Sequence, residues 1–260
     1  SEPFVVALGV AGMEIWRRTY SGLTCNGTLV VANPRDRADL IRFGKRTQGH
    51  KTLYANALAT IEPELGDRFP AALYFEGEAH MDPRRAMAFL LEQARAAGVT
   101  LRLGETWTPE RLTPGHLAID CRGLGARAEL ASLRGVRGER VIVSTREVGL
   151  SRMVRLLHAR HQLYVVPWGE GEFMIGATVI ESEDAGLPTV RSALEILGAA
   201  YAVHPGFAEA RILDIAAQVR PAYPDNIPKA TVEGRIIRVN GAYRHGFLLA
   251  PVLAAAVAEH

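Results

Sequence analysis

The sequence predicts a mixed fold, α/β plus α+β, in which two layers interleave along the chain. Three stretches carry that expectation. A capped helix followed by two apolar strands and a glycine turn occupies 82–125. Short strands separated by turn residues occupy 141–178. A last buried strand leads into an apolar helix after Gly246. Helix, strand, strand and glycine turn in succession read as a parallel sheet flanked by helices, and closely spaced strands joined by turns read as an antiparallel sheet.

Taken in order, Phe4 to Arg18 reads as an amphipathic helix with Phe4, Leu8, Ala11 and Ile15 near helical spacing and Pro3 at its start. Residues 27–32 (Gly-Thr-Leu-Val-Val-Ala) read as a strand, and Asn33-Pro34 as a turn into a helix with Leu40, Ile41 and Phe43 buried. Glu62-Pro63-Glu64-Leu65 is a short capped turn, and Ala72 to Phe75 a strand. Asp82 caps a helix over Arg84 to Ala97, Pro83 suits its first position, and Gly98 ends it. Val99 to Leu103 and Leu117 to Cys121 follow as strands, the second mostly buried and running into Gly123-Leu124-Gly125. Val141 to Val143, Val154 to His158, Leu163 to Pro167 and Phe173 to Thr178 are the short strands of the antiparallel layer, with Gly169-Glu170-Gly171 as a separating turn. Thr189 caps a helix to Tyr201, and Ile236 to Asn240 is a buried strand. The parallel-sheet domain is therefore assigned 82–125 and 216–260, and the antiparallel domain 1–81 and 126–215.

Composition excludes several functions. Hydrophobic residues make up 48% and charged residues 22% of the 260, ordinary values for a globular protein large enough to bury a core. The net charge is +2 with scattered basic residues, which gives no footprint for nucleic acid. Cys25 and Cys121 are the two cysteines. They form no Cys-x-x-Cys pair and no disulfide framework, so a reducing, cytoplasmic compartment is expected. The longest apolar run, Phe247 to Ala258, is too short for a membrane span and contains Pro251, and no signal-peptide pattern opens the chain. No Gly-x-Gly-x-x-Gly, P-loop or Gly-x-Ser-x-Gly elbow occurs. His158 and His161 are three apart but fall near strand residues, which points to surface histidines and not to a metal site. A homo-oligomer stays open.

Two C-terminal motifs are more specific. Gln218-Val219-Arg220-Pro221-Ala222-Tyr223-Pro224-Asp225-Asn226 reads as an Arg-Pro turn. About twenty residues on, Tyr243-Arg244-His245-Gly246-Phe247-Leu248 opens the apolar helix. This pairing resembles the signature of the D-amino-acid-oxidase-like flavoproteins, nearest to the glycine oxidases of the thiamine (thiazole) pathway. Further segments resemble that family in the same order: residues 27–31, 78–86 (with Asp82-Pro83-Arg84), 119–127, the Val136-Arg137-Gly138-Glu139 step, and 163–167 with 174–178.

The resemblance implies the following. The cofactor is non-covalent FAD. The parallel-sheet part is what remains of a Rossmann-like FAD domain, and the antiparallel part is the substrate domain. Arg220 binds the substrate carboxylate through two parallel charge-assisted bonds, which a lysine does not reproduce. Tyr164 and Arg244 assist it. Gly123, Gly138 and the backbone of His245, Gly246, Phe247 and Leu248 lie near the cofactor, with the helix N-terminus directed at charge on the reduced flavin. The implied reaction is oxidation of glycine or another small amino acid by hydride transfer, with no acid or base residue. Dioxygen takes up the electrons as peroxide.

The sequence departs from the family in one respect. The glycine-rich strand-turn-helix that holds the flavin pyrophosphate is not in these residues, and roughly sixty residues that carry it in the family have no counterpart. The corresponding expectation for a chain complete as given is weak or no FAD binding. The rival reading is a flavin-free remnant serving as a binding or assembly subunit. A flavin dehydrogenase using another acceptor is a third.

Overall fold

The computed structural model describes residues 3–158 and 163–259. The chain runs α1 (Pro3–Thr19), β1 (Thr28–Ala32), α2 (Arg37–Arg46), β2 (Lys51–Tyr54), α3 (Ala55–Ile61), α4 (Pro63–Gly66), β3 (Ala71–Phe75), α5 (Pro83–Ala96), β4 (Ala118–Asp120) and β5 (Arg134–Ser144). It continues through β6 (Met153–Leu157), β7 (Leu163–Gly169), β8 (Glu172–Gly176), α6 (Val190–Val203), β9 (Arg211–Ala222), β10 (Lys229–Glu233), β11 (Ile236–Asn240) and α7 (Gly246–Ala258). The strands form an eight-stranded sheet, ordered β2-β3-β1-β6-β7-β8-β5-β9, and a three-stranded sheet, ordered β10-β11-β4. The mixed α/β and α+β class expected from the sequence is the observed one.

Alternation of side chains across the large sheet gives it two distinct faces. Leu29, Val31, Val154, Val165, Ile175 and Val141 point to one face, where they build the main core against Leu58, Leu65 and Ile196 from α3, α4 and α6. On the opposite face α2 covers only the β3-β1-β6 half, through Leu40 and Phe43 over Val30, Leu73 and Leu157. The β7-β8-β5-β9 half of that face is where the candidate site lies.

Capping residues act as their chemistry dictates. Asp82 accepts from the Arg84 and Arg85 amides at the start of α5, and Thr189 accepts from the Ser192 amide at the start of α6. Gly98, with φ of +80°, follows α5 in the left-handed region. In the small sheet β4 pairs with β11 in parallel and β10 with β11 antiparallel.

Several expectations are corrected. In α1 the buried stripe is Val5, Gly9, Gly12 and Trp16, whereas Phe4 is exposed. The reason is close helix packing: a side chain at Gly12 would run into the carbonyl oxygen of Leu248 in α7. Ile41 is exposed because only Leu40 and Phe43 of α2 face the sheet. Val99 to Leu103 forms no strand: β4 pairs with β11, and no ladder is offered to the earlier segment, which lies exposed. Leu117 and Ile119 are exposed, so β4 is an edge strand and not a buried one. Arg220 lies inside the long strand β9 and not in a turn, and β9 pairs with β5 from residue 211 to 222, across the layer change placed at 215/216. His161 lies outside the described residues. No helix among them is long and apolar enough to cross a membrane.

Candidate active site

The site begins with the register of the large sheet. Tyr164 on β7 is paired with Arg155 on β6 and with Gly176 on β8, and Gly176 with Arg140 on β5. Paired residues share a face, so the row Arg155, Tyr164, Gly176, Arg140 crosses four strands on the side α2 leaves open. Arg220 on β9 is opposite Val136 on β5, two residues from Gly138 and four from Arg140, which places it on this face too.

Gly138 explains how Arg220 reaches the site. A Cβ built at Gly138 would stand 2.0 Å from both terminal nitrogens of Arg220. The guanidinium therefore lies flat across the bare backbone of β5, half-buried, and donates from Nη1 to the Thr178 carbonyl at 3.3 Å. Burial presses its pKa below the ordinary arginine value. Tyr164 acts the other way, and the charge of Arg244 adds to the depression. A desolvated guanidinium held by a neutral carbonyl gains strongly from an incoming carboxylate.

Arg244 comes from a different part of the chain. Gly241 (φ +76°) packs under the Tyr223 ring, Tyr243 adopts φ of +51°, and its amide donates to the Pro221 carbonyl at 3.1 Å. This hook ties the segment before α7 to the end of β9 and presents Arg244 to the site. Arg244 borders a cavity of about 790 Å3 together with Ala177, Thr178, Val179 and Ile180. Gly123 (φ +59°) is held by the Asn240 amide donating to its carbonyl at 2.9 Å and lies beside Pro221, the residue after Arg220.

The structure adds residues that motif reading missed. At the back of the cavity Arg137 and Glu139 form a buried ion pair at 2.7 Å. Arg137 also donates to the carbonyls of Asp184, Gly186 and Leu187, and Glu139 accepts from the Thr189 amide at 3.1 Å. Together they fasten the connection from β8 to α6, which contains Thr178. The signal was the charged pair flanking Gly138, which alternation sends to the face opposite Gly138. Arg155 was missed as well. It is half-buried and stacks over the Phe43 ring at 5.1 Å, on the border between the α2-covered half and the open half.

The FAD implied by the resemblance fits the residues present at the start of α7. His245 makes no side-chain cap, so the first-turn amides of α7 keep their donors free of one, and nothing obstructs the space beside Gly246. Burial and the charge of Arg244 lower the His245 pKa and keep its ring neutral. The helix is anchored from behind by Trp16, whose Nε1 donates to the Phe247 carbonyl at 2.6 Å. Uncapped amides with the positive end of a helix dipole suit the acceptor edge of a flavin ring. Among the described residues no group of His, Cys, Asp and Glu is arranged to hold a metal.

Comparison with known proteins agrees with this geometry. The family model DAO, described as FAD dependent oxidoreductase, matches residues 2–260. A protein of Rhizobium etli, assigned provisionally as the thiamine biosynthesis oxidoreductase ThiO, is 49% identical over 260 residues, covering 100% of this chain and 79% of that protein. A glycine oxidase of Bacillus licheniformis is 23% identical over 279 residues, covering 96% of this chain and 71% of its own. The crystal structure of glycine oxidase from Geobacillus kaustophilus superposes with a TM-score of 0.77 at 22% identity, covering 100% of this chain and 79% of that one.

Proposed function

Because the chain belongs to the DAO family of FAD-dependent oxidoreductases, we propose that it oxidises a small amino acid such as glycine. The products are the imine, hydrolysed to the keto acid and ammonia, and hydrogen peroxide from dioxygen. The provisional name of the R. etli relative supports a place in thiamine synthesis. The observation that carries the reading is the desolvated Arg220 guanidinium, laid over Gly138 on the same sheet face as Tyr164.

When bound, FAD supplies the two-electron acceptor. The chain's own residues do the rest. Arg220 takes the α-carboxylate in a forked pair of hydrogen bonds, with the Tyr164 hydroxyl as a further donor. Anchoring the carboxylate fixes the Cα–H bond, and such orientation supplies much of the rate without an acid or base. The cationic field of Arg220 and Arg244 also disfavours an ammonium nearby, so the substrate's amine is held neutral, as its oxidation requires. The α7 amides offer donors where negative charge grows on reduction.

The test is Arg220→Lys. A lysine keeps the charge but loses the fork, so the KM for glycine rises about 100-fold while the flavin spectrum persists. Peroxide release and flavin absorbance read the two effects separately. Unchanged kinetics in the variant, or no bleaching of the flavin by any small amino acid, overturns the reading.

A further inference from the structure

Resting on the reading above, we propose that Arg155 binds a second carboxylate, so that the site prefers dicarboxylic amino acids, of the N-carboxymethylglycine type, to monocarboxylic ones. The argument starts from the sheet. Arg155 and Tyr164 are directly opposed across β6 and β7, and the next position in the row is the bare Gly176. Arg220 reaches across Gly138 from the far side. Adjacent strands stand about 4.8 Å apart, so Arg155 and Arg220 approach Tyr164 from its two sides, with open backbone at Gly176 between.

Charge on this face is unbalanced. Arg140, in the same row, is matched by Asp214 at 3.0 Å. Arg155, Arg220 and Arg244 lie within electrostatic reach of one another, since Arg244 acts on both of the other two, and Glu78 is the carboxylate acting on Arg155. Three guanidiniums against one carboxylate leave room for two further negative charges. An α-carboxylate on Arg220 supplies one. A second carboxylate, carried on the substrate nitrogen, would extend across Tyr164 toward Arg155 and supply the other.

Arg155 is also held for such a task. Its guanidinium stacks on the Phe43 ring, and burial lowers its pKa. A planar cation braced against an aromatic face loses little freedom on taking a carboxylate.

The experiment compares sarcosine with iminodiacetate, two secondary amines that differ by one carboxylate, in the flavin-loaded protein. The readout is the ratio of kcat/KM values. The wild type is expected to favour iminodiacetate at least tenfold, and Arg155→Gln to lower that ratio about 10- to 100-fold, the range of one charge-assisted contact. Arg155→Lys is expected to retain part of the preference. Preference for sarcosine in the wild type, or an unmoved ratio in Arg155→Gln, overturns the assignment and leaves the amino-acid oxidase reading standing. An equal fall for both amines places Arg155 with the flavin or the fold and overturns it too. Oxidation of neither amine removes both readings.

Discussion

Gly138→Ala gives a direct test of the clamp. The Cβ introduced would sit 2.0 Å from Nη1 and Nη2 of Arg220, whereas ordinary van der Waals contact begins near 3.4 Å. The guanidinium must therefore retreat by about 1.4 Å, on the scale at which misplacement costs about 100-fold in rate. Retreat is possible because the obstructed atoms are the end of a flexible side chain, so stability changes by less than about 1 kcal/mol. The backbone at Gly138 lies in a regular strand and makes no demand for positive φ. The expected phenotype is a kcat/KM for glycine lowered about 30- to 100-fold, equivalent to about 2–3 kcal/mol, with unchanged melting temperature and flavin content. Steady-state peroxide release and thermal unfolding with flavin fluorescence check the two halves. Wild-type kinetics would show that Arg220 does not need the space over Gly138. A large stability loss would show that Gly138 serves the fold and not the clamp.

Two further outcomes follow from the packing and the charges. Gly12→Val pushes α1 from the Leu248 carbonyl, which is backbone and cannot rotate away. The expected loss is about 2–3 kcal/mol, a drop of about 5–10 °C in thermal unfolding, with weaker flavin retention as the start of α7 shifts. Asp120→Asn tests the small sheet. The Arg122 side chain, bonding its carboxylate, and then Arg238 hold the buried Asp120 below the usual aspartate pKa. A depressed folded-state pKa contributes stability above the unfolded value near 3.9 and loses it as pH falls through the lower folded value. Urea unfolding should therefore show the variant about 3 kcal/mol weaker at pH 7, with the gap narrowing as the pH drops below about 4. A gap independent of pH would contradict the assignment.

What was legible in the sequence was what local chemistry specifies. Asp82-Pro83 and Thr189 announced two helices because a cap needs only its own three residues, and both side chains make the expected bonds. The β7-β8 hairpin was legible because turn residues and apolar runs are contiguous. Elements that depend on distant partners were not. β9 has no clean alternation, since its exposure runs mixed along twelve residues, and Pro221 argues against a strand; pairing with β5 makes it one. Val99 to Leu103 fails for the converse reason, a strand-like run with no ladder to join. The glycine stripe of α1 was invisible because its value lies in the approach of α7, some 240 residues away. The resemblance located Arg220, Tyr164 and Arg244 as residue types, but the row that joins Tyr164 to Arg155 exists only in the register.

The strand β5 shows why the family's Val-Arg-Gly-Glu step is more than a label. Alternation sends Gly138 to the open face and its neighbours Arg137 and Glu139 to the other. On the open face the missing side chain lets Arg220 lie down. On the other, Arg137 and Glu139 fasten the connection from β8 to α6. Thr178 closes the circuit: its amide donates to the Glu139 carbonyl at 3.1 Å, its hydroxyl accepts from the Glu139 amide at 2.9 Å, and its carbonyl receives Arg220. The guanidinium is thus positioned from beneath by an absent Cβ and from the side by a carbonyl whose own place is set by a buried ion pair. Neither constraint suffices alone, because a flexible arginine over bare backbone is free to swing and a carbonyl at 3.3 Å is a weak hold. Four consecutive residues on one strand supply both constraints, which ties the order of the β8–α6 connection to the orientation of the clamp.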